Sequence, residues 1–143
     1  MKKEIKQFLV IGVSVRTTNQ NGKARKDIGE LFGKFMGEQL IEKIPNKTDS
    51  DIYCMYTEYD ADFMRPYTAI IGCRVTSLED IPEGFIGKSI SNSTYKVYES
   101  TGDLNVTVGE TWMKIWNSGM KRKYSADFDI YRNAKVETYV SVD

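Results

Sequence analysis

Read for periodicity, the chain runs strand, helix, strand, strand, and then does so again. Residues Ile5–Val15 are rich in Phe, Val and Ile and predict a buried strand. The polar stretch "RTTNQNGKARKD" predicts a loop. Ile28, Leu31, Phe32, Phe35, Met36 and Leu40 then recur at three- and four-residue steps, predicting an amphipathic helix over Lys26–Glu42 with Asp27 as its N-cap or first-turn acid. After Pro45 and "NKTDSD", the segments Ile52–Tyr59 and Tyr67–Val75 predict a hairpin turning at Asp60–Arg65. In the second half, "SLEDIPEGFIGKSI" is punctuated by Pro82, Gly84 and Gly87 and predicts a connector. A strand over Ser93–Ser100 follows it. Val106, Gly109, Trp112, Ile115 and Trp116 suit a second helix, capped near Asp103 or Asn105 and ended by Gly119. "ADFDIYRN" and "VETYVSV" predict the last two strands.

A helix face left by one such unit is poorly covered, whereas two units share a core. The expectation is an α+β domain over residues 1–143, with one unit at about 1–76 and the other at about 77–143. Their duplicated β-α-β-β elements form one antiparallel sheet, both helices lie on one side, and a cleft opens between the halves. Gly29, Gly33 and Gly37 repeat along one side of the first helix, each less favourable than Ala by up to ~1 kcal/mol. Such a side admits close packing, by a strand or helix before a ligand.

Charge and cysteine content exclude several functions. Twenty basic residues balance twenty acidic ones, which argues against an electrostatic nucleic-acid binder. The triplet Lys121-Arg122-Lys123 reads as a solvated turn. The chain has no histidine, which removes the commonest general base and metal ligand. Cys54 and Cys73 alone cannot build a zinc site, and read as reduced core residues of a cytoplasmic protein. The lysine-led "MKKEIKQFLVIGVSV" resembles a signal peptide in charge order, but its apolar run is short and interrupted by Gly12 and Ser14, so it reads as a strand. No apolar run reaches the ~18 residues of a membrane span. No Walker loop, dinucleotide fingerprint, HExxH or CxxC occurs, so no cofactor and no metal are expected.

The chemistry on offer is aromatic and acidic. The chain has nine Tyr, six Phe and two Trp, and many of these aromatics sit on predicted strands beside Glu58, Glu99, Asp127, Asp129 and Glu137. Taken singly, these are strand formers and water-facing acids. Together they could hold a flat cation. Cation–π contacts reach ~2 kcal/mol when desolvated. A carboxylate shielded from water must find a cation or take up a proton.

The ordered motifs "TTN" (Thr17–Asn19), "IYCMYTEYD" (Ile52–Asp60), "YTAIIGCRV" (Tyr67–Val75), "IPEG" (Ile81–Gly84), "TWMKIW" (Thr111–Trp116) and "DFDIY" (Asp127–Tyr131) resemble the GyrI-like small-molecule-binding family. This is also described as the AraC-type effector-binding domain, and the chain is most similar to its stand-alone, integron-associated members. The resemblance covers almost the whole chain and implies the same duplicated fold. It implies a ligand pocket between the halves, lined by aromatics, with an acid in the final repeat. Family members often carry Phe-Glu-hydrophobic-Tyr where this chain has Phe128-Asp129-Ile130-Tyr131. Asp129 therefore stands where a ligand-facing glutamate would be, one methylene shorter. It could meet the cation through water, require a deeper ligand, or have lost the role. The candidate ligand-binding residues are Asp129, Tyr56, Trp112, Trp116, Tyr131 and Tyr95, with Asp127 left to solvent. A neutralising Arg132 or Arg74 would instead make Asp129 structural.

The leading expectation is a binding module for a small aromatic or cationic molecule. It would serve in transcriptional regulation or ligand sequestration, without direct contact to DNA or membrane. One alternative is a hydrolase of reactive small molecules, with Asp129 activating water and Tyr56 or Tyr131 polarising the substrate. Another is a cleft that docks a protein partner or a second copy. No histidine is present to ligate haem.

Overall fold

A computed structural model of the chain describes residues 2–62, 64–132 and 134–143, with Asn105 described by its backbone alone. The candidate cap side chain of Asn105 and the strand end at Asn133 lie outside the described residues. The strands are β1 (Lys2–Ile5), β2 (Phe8–Thr17), β3 (Ile52–Thr57), β4 (Tyr67–Val75), β5 (Ile86–Ile90), β6 (Ser93–Thr101), β7 (Ala126–Arg132) and β8 (Lys135–Val142). The helices are α1 (Lys23–Gly37) and α2 (Leu104–Asn117). All eight strands form one antiparallel sheet, in the order β1-β6-β8-β7-β3-β4-β2-β5. The expected units are both there, β2-α1-β3-β4 and β6-α2-β7-β8, joined where β3 pairs with β7.

Two short strands depart from the expected order. The strand read over Ile5–Val15 breaks at Lys6-Gln7 into β1 and β2, and the connector contains β5. The cause lies in the pairing. Lys2 faces Lys96 and Gly12 faces Ile86 in one uninterrupted register, so β1-β2 and β5-β6 form a single long ribbon with a bend. Its two halves sit on opposite edges of the sheet, which therefore curls on itself. At the bend, the Gln7 amide donates to Asn92 Oδ1 at 2.5 Å and its side chain donates to Ser89 Oγ at 2.7 Å. With Gly87 and Lys88 at its centre, β5 carries little apolar signal of its own.

The curl gives the sheet two buried faces. Phe8, Tyr53, Met55, Tyr95, Phe128 and Tyr139 fill its inner face. On the other face, Phe35 of α1 packs with Ile11, Cys54, Ile71 and Cys73, while Ile115 of α2 packs with Val140. The first helix starts earlier than expected, at Lys23, and ends at Gly37, because Gln39 turns left-handed (φ 51°) before a 3-10 turn at Leu40–Lys43. Asp27 is thus no cap. It sits one turn inside α1, where it accepts from Lys23 and from Thr17 of β2. Val106 and Thr107 amides donate to the Asp103 carbonyl at 2.9 Å, placing Asp103 at the start of α2 as expected. Among the described residues nothing beyond α1 itself lies within 4 Å of where a Cβ on Gly29, Gly33 or Gly37 would stand, so no strand or helix packs against them.

The basic triplet and Asp127 also need correction. Asp127 is not solvated: it is fully buried, and Arg122 beside it is 9% exposed. Alternation along β7 sends Asp127 to the helix-covered face, and the loop after α2 folds Arg122 back over it. Arg122 donates to Asp127 Oδ2 at 2.7 Å and Tyr59 Oη donates to the same oxygen at 2.6 Å. The Ser141 amide and hydroxyl donate to Oδ1 at 2.7 and 3.0 Å. A buried carboxylate so fully supplied with donors is structural.

Asp127→Asn leaves the buried guanidinium without its counter-charge. It should destabilise by roughly 3 kcal/mol or more, lowering Tm by about 10 °C in a thermal melt. An unchanged Tm would contradict the assigned pairing. A second expectation concerns Gly12 and Gly72, which face each other across β2 and β4. A methyl on Gly12 would strike the Ile71 carbonyl, and one on Gly72 the Ile11 carbonyl. Gly12→Ala should therefore cost about 2 kcal/mol or more in a denaturant titration, whereas Gly29→Ala should be neutral or stabilising.

Candidate functional site

The two helices do not meet over the centre of the sheet. Between them lies a cavity of about 890 Å³, open to solvent. Tyr56 of β3, Tyr67 at the start of β4 and Tyr131 of β7 form its floor, Ile28 and Gly29 of α1 one wall, and Trp112 and Trp116 of α2 the other. Sheet parity places these side chains together. Cys54 and Tyr56 on β3 face Asp129 and Asp127 on β7, so all four project to the helix side. Tyr56 is the hinge of the arrangement, packing on the clusters under both helices. Its ring meets Trp112 edge-on at 5.3 Å and Tyr67 at 6.1 Å. Tyr131 is braced by Phe32 of α1 at 5.1 Å.

Asp129 lies beneath this floor, with no exposed surface. Tyr56 Oη donates to its Oδ2 at 2.7 Å, and Trp112 Nε1 lies 3.1 Å from Oδ2 and 3.2 Å from Oδ1. Thr138 Oγ1, directly across from Asp129 in the β7–β8 pair, donates to Oδ1. Among the described residues no ion pair reaches Asp129. Arg132 is engaged by Asp51 and Glu137, and Arg74 lies over the Phe8 ring at 5.1 Å. Neither arginine neutralises it.

Burial pushes the Asp129 carboxyl up to about 6, against the pull of the Thr138, Tyr56 and Trp112 donors, and the Asp127 charge adds to the rise. Burial and the adjacent Asp129 charge hold the Tyr56 phenol well above its ordinary range. The Cys54 thiol, 3.4 Å from Tyr56 Oη, is pushed up to about 12 by burial and by Asp129. Phenol and thiol are therefore neutral at physiological pH, and the carboxylate is the group that titrates.

Five of the six candidate residues converge. Tyr56, Trp112, Trp116 and Tyr131 line the cavity, and Asp129 sits directly behind Tyr56 and Trp112. Tyr95 does not join them. It stands on the inner face of the curled sheet, stacked edge-on against Phe128 at 5.1 Å, because it is an odd number of residues from Tyr98, which faces α2. Tyr59, Tyr67, Arg122 and Thr138 belong to the site region but were not among the candidates. Thr138 carried a legible signal, a hydroxyl between Val136 and Val140 on a buried face. Arg122 carried none, since its neighbours Lys121 and Lys123 are exposed.

Comparison with known proteins agrees with this fold. An integron cassette protein from the mobile metagenome of Vibrio cholerae is 31% identical and has the same fold (TM-score 0.79), the alignment covering 100% of this chain and 95% of that one. The structure of SAV2435 bound to tetraphenylphosphonium has TM-score 0.83 at 14% identity, covering 100% and 93% of the two chains. The EcmrR C-terminal domain has TM-score 0.61 at 12% identity, covering 100% and 96%. The last two likenesses concern the fold alone. No curated protein sequence is a match. The Cass2 family model, described as integron-associated effector binding protein, matches residues 3–142, and the chain belongs to that family.

Proposed function

We propose that the cleft binds a lipophilic aromatic cation. One observation carries this reading: a fully buried carboxylate with no cation beside it among the described residues lies behind the aromatic floor of a large cavity. Asp127, two residues away, is the internal contrast, since Arg122 balances it. Asp129 leaves a local negative potential that a bound cation would satisfy. Phenol and indole faces add cation–π attraction. The tetraphenylphosphonium bound by SAV2435, which shares the fold, is a ligand of this chemistry. The protein would sense or sequester such molecules in the cytoplasm, a role in keeping with the effector-binding family.

Hydrolysis is the weaker reading. A carboxylate acting as general base must reach a water in the cavity, and Asp129 is screened from it by Tyr56 and Trp112.

Trp112 and Trp116 line the cavity and supply a fluorescence signal. Titration with tetraphenylphosphonium should quench it saturably, and Asp129→Asn should weaken binding by about tenfold or more while the melt stays cooperative. Equal affinity of the variant would remove the carboxylate from the account. A pH series tests the same group. The charged groups around the site are Asp127 and Arg122 close to Asp129, with Arg25 of α1 and Glu110 of α2 at the cavity lining, and the Tyr56 phenol and Cys54 stay neutral. Asp129 protonates in the free protein near pH 6. Affinity for a permanent cation should therefore fall about tenfold between roughly pH 8 and pH 5. Stability of the free protein should move the opposite way. An acid whose folded pKa lies above its unfolded value penalises the fold while ionised, and that penalty is relieved as pH falls through about 6 toward about 4. Asp27 and Glu58, held low mainly by Lys23 and Lys88, give up their stabilisation only at lower pH.

A further inference from the structure

We infer that the cleft selects cations that carry no hydrogen-bond donors, such as quaternary ammonium and phosphonium groups, over primary ammonium ions. This deepens the cation-binding reading above and rests on it. Its basis is that the ligand would meet aromatic rings while the carboxylate stays behind them.

Both Asp129 oxygens are already engaged, Oδ1 by Thr138 and Trp112 and Oδ2 by Tyr56 and Trp112. Asp129 itself is wholly buried, whereas Tyr56 and Trp112 line the cavity. Each of those rings points its single donor at the carboxylate. The negative charge thus enters the cavity as a field through the two rings, and no oxygen of Asp129 is presented to a donor. The other polar groups around the cavity do not replace it. Tyr59 and Tyr67 direct their hydroxyls at Asp127 and Asn19. Arg25 and Arg122 can only donate. Glu110 lines the mouth but is exposed, where its charge is hydrated and screened.

A primary ammonium brought onto this floor loses strong hydrogen bonds to water and finds only neutral acceptors in exchange. A quaternary centre has no such bonds to lose and is attracted equally well by field and ring faces. The shorter aspartate side chain fits this division of labour. It reaches the indole and phenol donors, and those rings face the ligand.

The test uses three ligands on one skeleton at about pH 8, where Asp129 and a primary amine are both charged. They are 4-phenylbenzyltrimethylammonium, 4-phenylbenzylammonium, and the neutral carbon isostere with a tert-butyl group in place of trimethylammonium. Fluorescence titration should give the trimethylammonium compound about tenfold higher affinity than the primary ammonium, and also clearly higher affinity than the isostere, which isolates charge from methyl burial. Tyr56→Phe keeps the ring but removes one of the two donors to Oδ2, leaving that oxygen an acceptor site to offer a ligand donor. It should narrow the quaternary-to-primary ratio to about threefold or less. A primary ammonium that binds as tightly as the quaternary compound, or a ratio unmoved by Tyr56→Phe, overturns the inference and leaves cation binding standing. Failure of both cations and of tetraphenylphosphonium to bind removes the cation-binding reading, and the inference with it.

Discussion

The hydrogen bonds that converge on Asp129 organise the structure around the cleft. One carboxylate is reached from β3 by Tyr56, from β8 by Thr138 and from α2 by Trp112. Those donors come from both duplicated units: β3 belongs to the first, and β8 and α2, like the β7 strand that carries Asp129, to the second. The bonds therefore fasten the seam between halves at the place where the helices part. They also fix two rings that line the cleft, Tyr56 in its floor and Trp112 in its wall. A hydrophobic residue at position 129 could fill the volume, but it would leave a buried phenol, indole and hydroxyl without an acceptor.

Asp127 and Asp129 show how neighbouring acids of one type take different roles. Both face the helix side of β7, and both are wholly buried. Four donated hydrogen bonds, one of them from the Arg122 guanidinium, hold Asp127. Asp129 has uncharged donors alone among its described partners, and burial lifts its carboxyl toward neutrality. What distinguishes them is the loop after α2. It brings Arg122 over Asp127 and stacks it on Tyr124 at 4.4 Å, leaving the other acid to the cavity.

Much of this was legible in the sequence. Period-two and period-three-to-four patterns located both helices and the central strands, and duplication of their order implied a shared sheet with a cleft. Alternation along "DFDIY" puts Asp127, Asp129 and Tyr131 on one face, and the structure has all three on the helix side. The assignment of Asp127 to water failed because the counter-charge lies five residues earlier, in a triplet that reads as a polar turn. Tyr95 was grouped with the cavity residues by composition, and only strand parity within a curled sheet separates it from them. The ribbon of β1-β2 with β5-β6 was missed since it depends on pairing between segments more than 70 residues apart, which no local pattern encodes. The glycines of α1 were expected to receive a packing partner; the structure leaves their side open, and Gly29 widens the cavity instead.

The central claim is that Asp129 is the charged group that a bound cation satisfies. Infrared difference spectroscopy reads it directly. Below about pH 6, where burial keeps much of Asp129 protonated, adding tetraphenylphosphonium should abolish the carbonyl stretch of a buried carboxyl and raise carboxylate bands. Asp129→Asn should show neither change. Saturable binding with no change in carboxyl protonation, or the same spectral change in Asp129→Asn, would contradict the account.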